Sequence, residues 1–147
     1  MSQENVDLIR SFQPRPEINL VEFFADDVAN TRIAGALAHV FDPAFVCFIH
    51  FPGDAEPTPY SGVDGLRQGW RDWLSPWATY RTEVEEVIDL GERVVIVFRD
   101  HARREPYAPE VHMRGATIWT VREGRVARAD FYAGGRAEAL ASVGLAE

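Results

Sequence analysis

The chain has 147 residues and a formal net charge of −8, within the range of one folded domain. That charge disfavours nucleic-acid partners, because the arginines are scattered and sit beside acids, as in Glu92-Arg93 and Arg99-Asp100, instead of forming a basic face. Cys47 is the only cysteine, which excludes a disulfide framework and a thiolate metal centre.

No apolar run approaches the roughly 18 residues of a membrane span, and the polar N-terminal stretch has no signal-peptide pattern. The expectation is one cytoplasmic domain over residues 1–147, with no membrane partner.

Val6 and Ile9 predict a short first helix, stopped by Pro14 and Pro16. Ile18 to Asp27 predicts a second, with Leu20, Val21, Phe23 and Phe24 on its apolar side. Asn30 or Thr31 is placed to cap a third, whose stripe is Ile33, Leu37, Val40 and Phe41 and whose end is Asp42-Pro43. Phe45 to Phe51 predicts a buried strand, and the proline-rich stretch from Pro52 to Tyr60 a loop.

Ser61, with Asp64 three residues on, predicts the cap of a further helix carrying Trp70, Trp73 and Trp77 near one face. Those rings either pack the helix on a sheet or roof a pocket. Strands are expected over 81–89, 94–103, 110–121 and 126–133. The last two are joined by a tight hairpin at Arg122-Glu123-Gly124-Arg125, and a terminal helix runs from Arg136 to Val143. Helices first and strands afterwards predict an α+β fold.

Alternation indicates which faces turn inward. In the last strand Ala127, Ala129, Phe131 and Ala133 carry no charge and are expected inside, the alanines leaving room for a cavity. In the strand before it, Met113, Gly115, Thr117, Trp119 and Val121 are the expected inner set, with Gly115 adding space. Strand 94–103 is ambiguous. Val95, Val97, Arg99 and His101 share one face, Val94, Ile96, Phe98 and Asp100 the other, and each begins apolar and ends polar.

The motifs Phe41-Asp42-Pro43, Tyr60-Ser61-Gly62, Val87 to Val95 and Ile118 to Val126, together with the tail from Arg136 to Leu145, give a chain that resembles the SnoaL-like branch of the nuclear-transport-factor-2-like superfamily. The resemblance implies a cone-shaped roll, a strongly curved antiparallel sheet with helices packed on its concave side around a pocket. It also implies a homodimer through the outer sheet face, for which Ile96, Phe98, Ile118 and Tyr132 are the expected apolar surface. Related enzymes include ketosteroid isomerase, limonene epoxide hydrolase and polyketide cyclases, but their catalytic sets are not intact here. The isomerase's general base falls at Ile49, beside His50 and Phe51, and its second aspartate near Thr117. The hydrolase's arginine matches Arg99. One of its aspartates matches His101, the other falls near Phe131 beside Asp130, and its water-holding pair falls near Cys47 and Ile49.

The resemblance turns Arg99 and His101 inward, and with Thr117 they form the expected catalytic group: histidine as acid or base, arginine as anion holder. The expected ligand-binding residues are Cys47, Ile49, Trp70, Trp73, Met113, Gly115, Ala129 and Phe131. A plainer reading pairs Arg99 with Glu105 or Glu110 and leaves His101 solvated. No cofactor and no metal are expected. A register that pairs His101 with His112 would offer two metal ligands, with no third in view.

Three functions follow. The first is binding of a small, mostly apolar or acidic molecule. The second is a cofactor-free isomerase, cyclase or hydrolase. The third is a non-catalytic dimerising scaffold.

Overall fold

A computed structural model describes residues 2–145. The elements run α1 (Ser2–Arg10), α2 (Leu20–Ala25), α3 (Asp27–Leu37), β1 (Phe41–Ile49), β2 (Thr58–Ser61), α4 (Gly62–Leu74), β3 (Thr79–Asp89), β4 (Arg93–Arg103), β5 (Val111–Arg122), β6 (Arg125–Tyr132) and α5 (Arg136–Ser142). Six strands form one sheet in the order β2-β1-β6-β5-β4-β3, curved but not closed, which is the expected α+β architecture with one correction. The sheet is mixed: β1 runs parallel to β6, while every other neighbouring pair is antiparallel. The long connection through β2, α4 and three strands allows it, because a parallel pair needs a crossover and not a tight turn.

The strand β2 lies in the stretch read as a loop. Its four residues pair with Val46 to Ile49 at the edge of the sheet, where Pro59 costs no ladder bond. β1 begins four residues earlier than predicted, at Phe41, and Pro43 falls inside the irregularity between Phe41 and Val46. Asp26, not Asn30 or Thr31, caps α3: its side chain accepts from the Ala29 N–H at 3.0 Å. Asn30 is buried and donates to the carbonyls of Phe23 and Asp26, which fixes the α2–α3 corner. Ser61 occupies the cap position of α4 but makes no side-chain capping bond. Asn19 caps α2 and also accepts the Tyr80 N–H at 3.1 Å, tying that helix to β3.

The sheet separates two apolar layers. On the concave side Val94, Ile96 and Phe98 of β4 join Trp119, Val121, Ala129, Phe131, Phe41, Phe45 and Ile49, closed over by Val6 and Ile9 of α1. The ambiguity of β4 is thereby resolved in favour of its even residues. On the other side Val95, Val97, Ala116 and Ile118 lie beneath Ala139 and Leu140 of α5. This corrects the expected dimer surface. Ile96 and Phe98 point into the concave core, Ile118 is covered by α5, and Tyr132 stacks on His50 with ring centroids 3.8 Å apart.

The hairpin forms as predicted, with Glu123 at φ 51° and Gly124 at φ 76°, both positive as a type I′ turn requires. A bulge follows it. Val121 pairs with Val126 and Thr120 with Arg128, so Ala127 has no partner and Val126 joins the inner layer in its place.

Candidate functional site

Two cavities lie on the concave side. The larger, about 600 Å³, is lined by the 11–15 connection, α2, α3, α4, Phe41 of β1 and the inner faces of β3 to β6. Its wall is mainly apolar and aromatic, from Phe12, Phe24, Leu37, Trp70, Ile96, Phe98, Trp119 and Phe131. Thr82 and Thr117 of the sheet also line it, and both are buried. Ile33 of α3 and Val84 of β3 line it and are 41% and 40% exposed, which marks the mouth between those elements.

Two donors of residues that line this cavity have no partner among the described residues: the Arg67 Nε–H and the Trp119 indole N–H. The Arg67 Nη2 is engaged, 2.5 Å from Asp27 Oδ1. Hydrogen bonds from Arg67 and Arg71 hold the Asp27 carboxyl below its ordinary range. Both nitrogens are themselves buried behind the wall, and a buried donor without an acceptor is costly, so a guest oxygen that reached either one would relieve that cost.

The smaller cavity, about 20 Å³, has room for a single water and is lined by Ile49, Trp73, Tyr80, Asp100 and Ala133. Trp70, Phe98 and Phe131 line both cavities and stand between them. Asp100 is 1% exposed, and the Tyr80 hydroxyl donates to its Oδ2. Its Oδ1 has no hydrogen-bond partner among the described residues. Burial pushes the carboxyl up to about 6, with the Tyr80 hydrogen bond pulling the other way. Burial also raises the Tyr80 hydroxyl, reinforced by the Asp100 charge.

Arg99 and His101 do not face the cone, which corrects the expected catalytic group. Both belong to the face of β4 opposite Phe98 and Asp100. Arg99 Nε lies 3.9 Å from Glu85, and His101 Nε2 lies 2.9 Å from Glu83. The resemblance placed the inner polar position of this strand one residue late; the side chain that reaches the interior is Asp100. Glu85, unpaired at the β3 bulge, also takes Arg136, whose hydrogen bond holds the Glu85 carboxyl low. Thr117 does line the large cavity.

The expected ligand-binding residues divide. Trp70 and Phe131 line both cavities, and Ile49 and Trp73 the smaller one. Cys47 and Ala129 are fully buried core residues that line neither, and burial pushes the Cys47 thiol up to about 12. Met113 packs against the cluster of Leu20, Leu74, Trp77 and Tyr80. Gly115 leaves no space: a β-carbon there would sit 2.7 Å from the Phe98 ring and 2.5 Å from the Tyr132 carbonyl oxygen.

The tryptophans serve as core and as roof. Trp70 stacks on Phe24 at 5.5 Å and meets Phe131 edge-on, while Trp73 and Trp77 pack on Tyr80. Sequence reasoning missed Tyr80, Thr82, Arg67 and Asp100 as site residues. Asp100 was legible only as the polar end of one of two equivalent faces.

The sequence matches the SnoaL-like domain over residues 20–129. No functionally curated protein matches it. Among solved structures, a putative SnoaL-like polyketide cyclase from Jannaschia sp. CCS1 superposes with a TM-score of 0.65 at 16% identity, covering 96% of this chain and 90% of that one. An NTF2-like protein of unknown function from Mesorhizobium loti gives 0.60 at 20% identity, over 91% and 93% of the two chains. TerC, crystallised with polyporic acid, gives 0.59 at 18% identity over 88% and 91%. These likenesses extend to the fold alone. With the family match spanning more than half of the sequence, the chain belongs to the SnoaL-like domain family, on an NTF2-like fold.

Proposed function

We propose that the cone binds one small, mostly apolar molecule that carries an oxygen acceptor, such as a carboxylate, carbonyl or phenolate. The observation that carries this reading is the cavity of about 600 Å³, a volume typical of small-molecule sites, with an aromatic wall and two unpaired donors. The wall supplies the affinity by removing apolar surface from water, and Arg67 and Trp119 supply orientation. TerC, a protein of the same fold, was crystallised with polyporic acid, which accords with a guest of this kind.

The test is a fluorescence titration with the anionic apolar dye 1-anilinonaphthalene-8-sulfonate, with near-ultraviolet circular dichroism reporting that each variant keeps its fold. Saturable binding at one site is expected. Ala34→Trp, which fills the cavity from α3, should abolish it, and Arg67→Met should weaken it by about tenfold. Undiminished binding in Ala34→Trp would remove the cavity as the site.

A second reading is favoured by the buried Asp100 carboxyl, with one free oxygen and a pKa pushed up to about 6 by burial. In it the same cone is a cofactor-free enzyme in which Asp100 takes or returns a proton next to a carbonyl, held by the Tyr80 hydroxyl. It requires Trp70, Phe98 and Phe131 to move aside, because the smaller cavity beside Asp100 has room for only a single water. Asp100→Asn should then abolish turnover while leaving dye binding in the larger cavity intact; turnover that survives would exclude this role.

A further inference from the structure

The face of the sheet opposite the cone carries a polar cluster that neither reading above uses. β4 and β5 pair in the register that sets His101 directly across from His112. Their Nδ1 atoms face each other at 2.8 Å. Glu110, two residues before His112, turns its Oε1 to 3.6 Å from His101 Nδ1 and from His112 Nε2. One donor atom from each of the three lies within 4.8 Å of the other two.

The surroundings determine which atoms are free. Glu83 accepts from His101 Nε2 at 2.9 Å, so that nitrogen carries the proton and Nδ1 presents a bare lone pair. A carboxylate behind a histidine is the usual outer support of a metal-binding imidazole. Arg81 and Arg103 both engage the other oxygen of Glu110, at 3.3 and 3.8 Å, leaving Oε1 aimed at the imidazoles. Glu83 and Glu110 balance these two cations, so the cluster with neutral imidazoles has no net charge to repel a metal ion.

We propose that His101, His112 and Glu110 bind a divalent transition-metal ion of the zinc class. Two imidazole nitrogens and one carboxylate oxygen suit such an ion, and bonds of about 2.0–2.1 Å place tetrahedral ligands roughly 3.3 Å apart. The separations of 2.8 and 3.6 Å from His101 Nδ1 lie on either side of that value and the whole set lies within 4.8 Å, so side-chain rotations that draw the three donor atoms together close the site. The His112 side chain is 55% exposed, which gives the ion an entry path and leaves the fourth position to water. Without an ion, the His112 Nδ1–H donates to the His101 lone pair, and the cluster is a hydrogen-bonded surface pair.

The experiment is calorimetric titration of zinc chloride into the tag-free, chelator-treated full chain near neutral pH, with cobalt(II) absorption as a second readout. One equivalent should bind, and cobalt should give the strong visible bands of a tetrahedral site. His112→Ala, at an exposed position where folding is tolerant, and Glu110→Gln should each weaken binding by about tenfold to a hundredfold. The exposed His39→Ala should change nothing. Absence of saturable zinc binding, or binding unchanged in both His101→Ala and His112→Ala, would overturn the assignment.

Discussion

Burial of the Asp100 carboxyl gives one residue a measurable effect on stability. Its folded pKa is raised from 3.8 to about 6. Between those values the folded protein holds a proton that the unfolded chain has released, so stability falls as pH rises through that window. The shift corresponds to roughly 3 kcal/mol, fully present as a penalty above about pH 6. Urea denaturation at pH 4.5 and pH 7.5 should therefore show a fall in the wild type that Asp100→Asn removes. Equal falls in both would mean that Asp100 is ionised without penalty. The paired carboxyls of Asp27, Glu85 and Glu110 are held low, so they act in a more acidic window and cancel in the comparison. Asp100 was not identifiable from the sequence because Val94 to Asp100 and Val95 to His101 present the same apolar-to-polar gradient. Only the packing of Phe98 against the concave core separates them.

At the scale of elements, most helix and strand types followed from periodicity and breakers, while one strand, one facing and one glycine did not. The strand β2 escaped because its Pro59 suits an edge strand as well as a loop. The inward set of β6 slipped by one at Ala127 because a bulge leaves no mark in a two-residue alternation. Gly115 was misread as space because the residue that fills it, Phe98, lies on the neighbouring strand. The Phe98 ring covers the glycine, so Gly115→Ala should destabilise the protein by about 1–3 kcal/mol in chemical denaturation through overpacking. A neutral effect would show that the ring is free to move. On the opposite face, Leu140→Ala should cost about 2–5 kcal/mol, because α5 is the cover of Val95, Val97 and Ile118. A loss under about 1 kcal/mol would mean that another surface covers those residues.

For the whole molecule, the sequence made the cone and its family legible because length, element order and turn chemistry agree along the chain. The contents of the cone were harder to read. The cavity wall draws on the 11–15 connection, three helices and five strands, and no local pattern brings Phe12, Arg67, Thr82 and Phe131 together. Its existence follows from how far the helices stand off the curved sheet, a property of packing and not of any one segment. Among the described residues no helix is long and apolar enough to cross a membrane. The measurement that tests the account most directly is a crystal structure of the protein soaked with an aromatic carboxylic acid. The account predicts its ring between Trp70, Trp119 and Phe131, with a carboxylate oxygen within hydrogen-bond distance of Arg67 Nε or the Trp119 indole N–H. A cone closed by its own side chains, or a guest bound only on the outer face of the sheet, would contradict it.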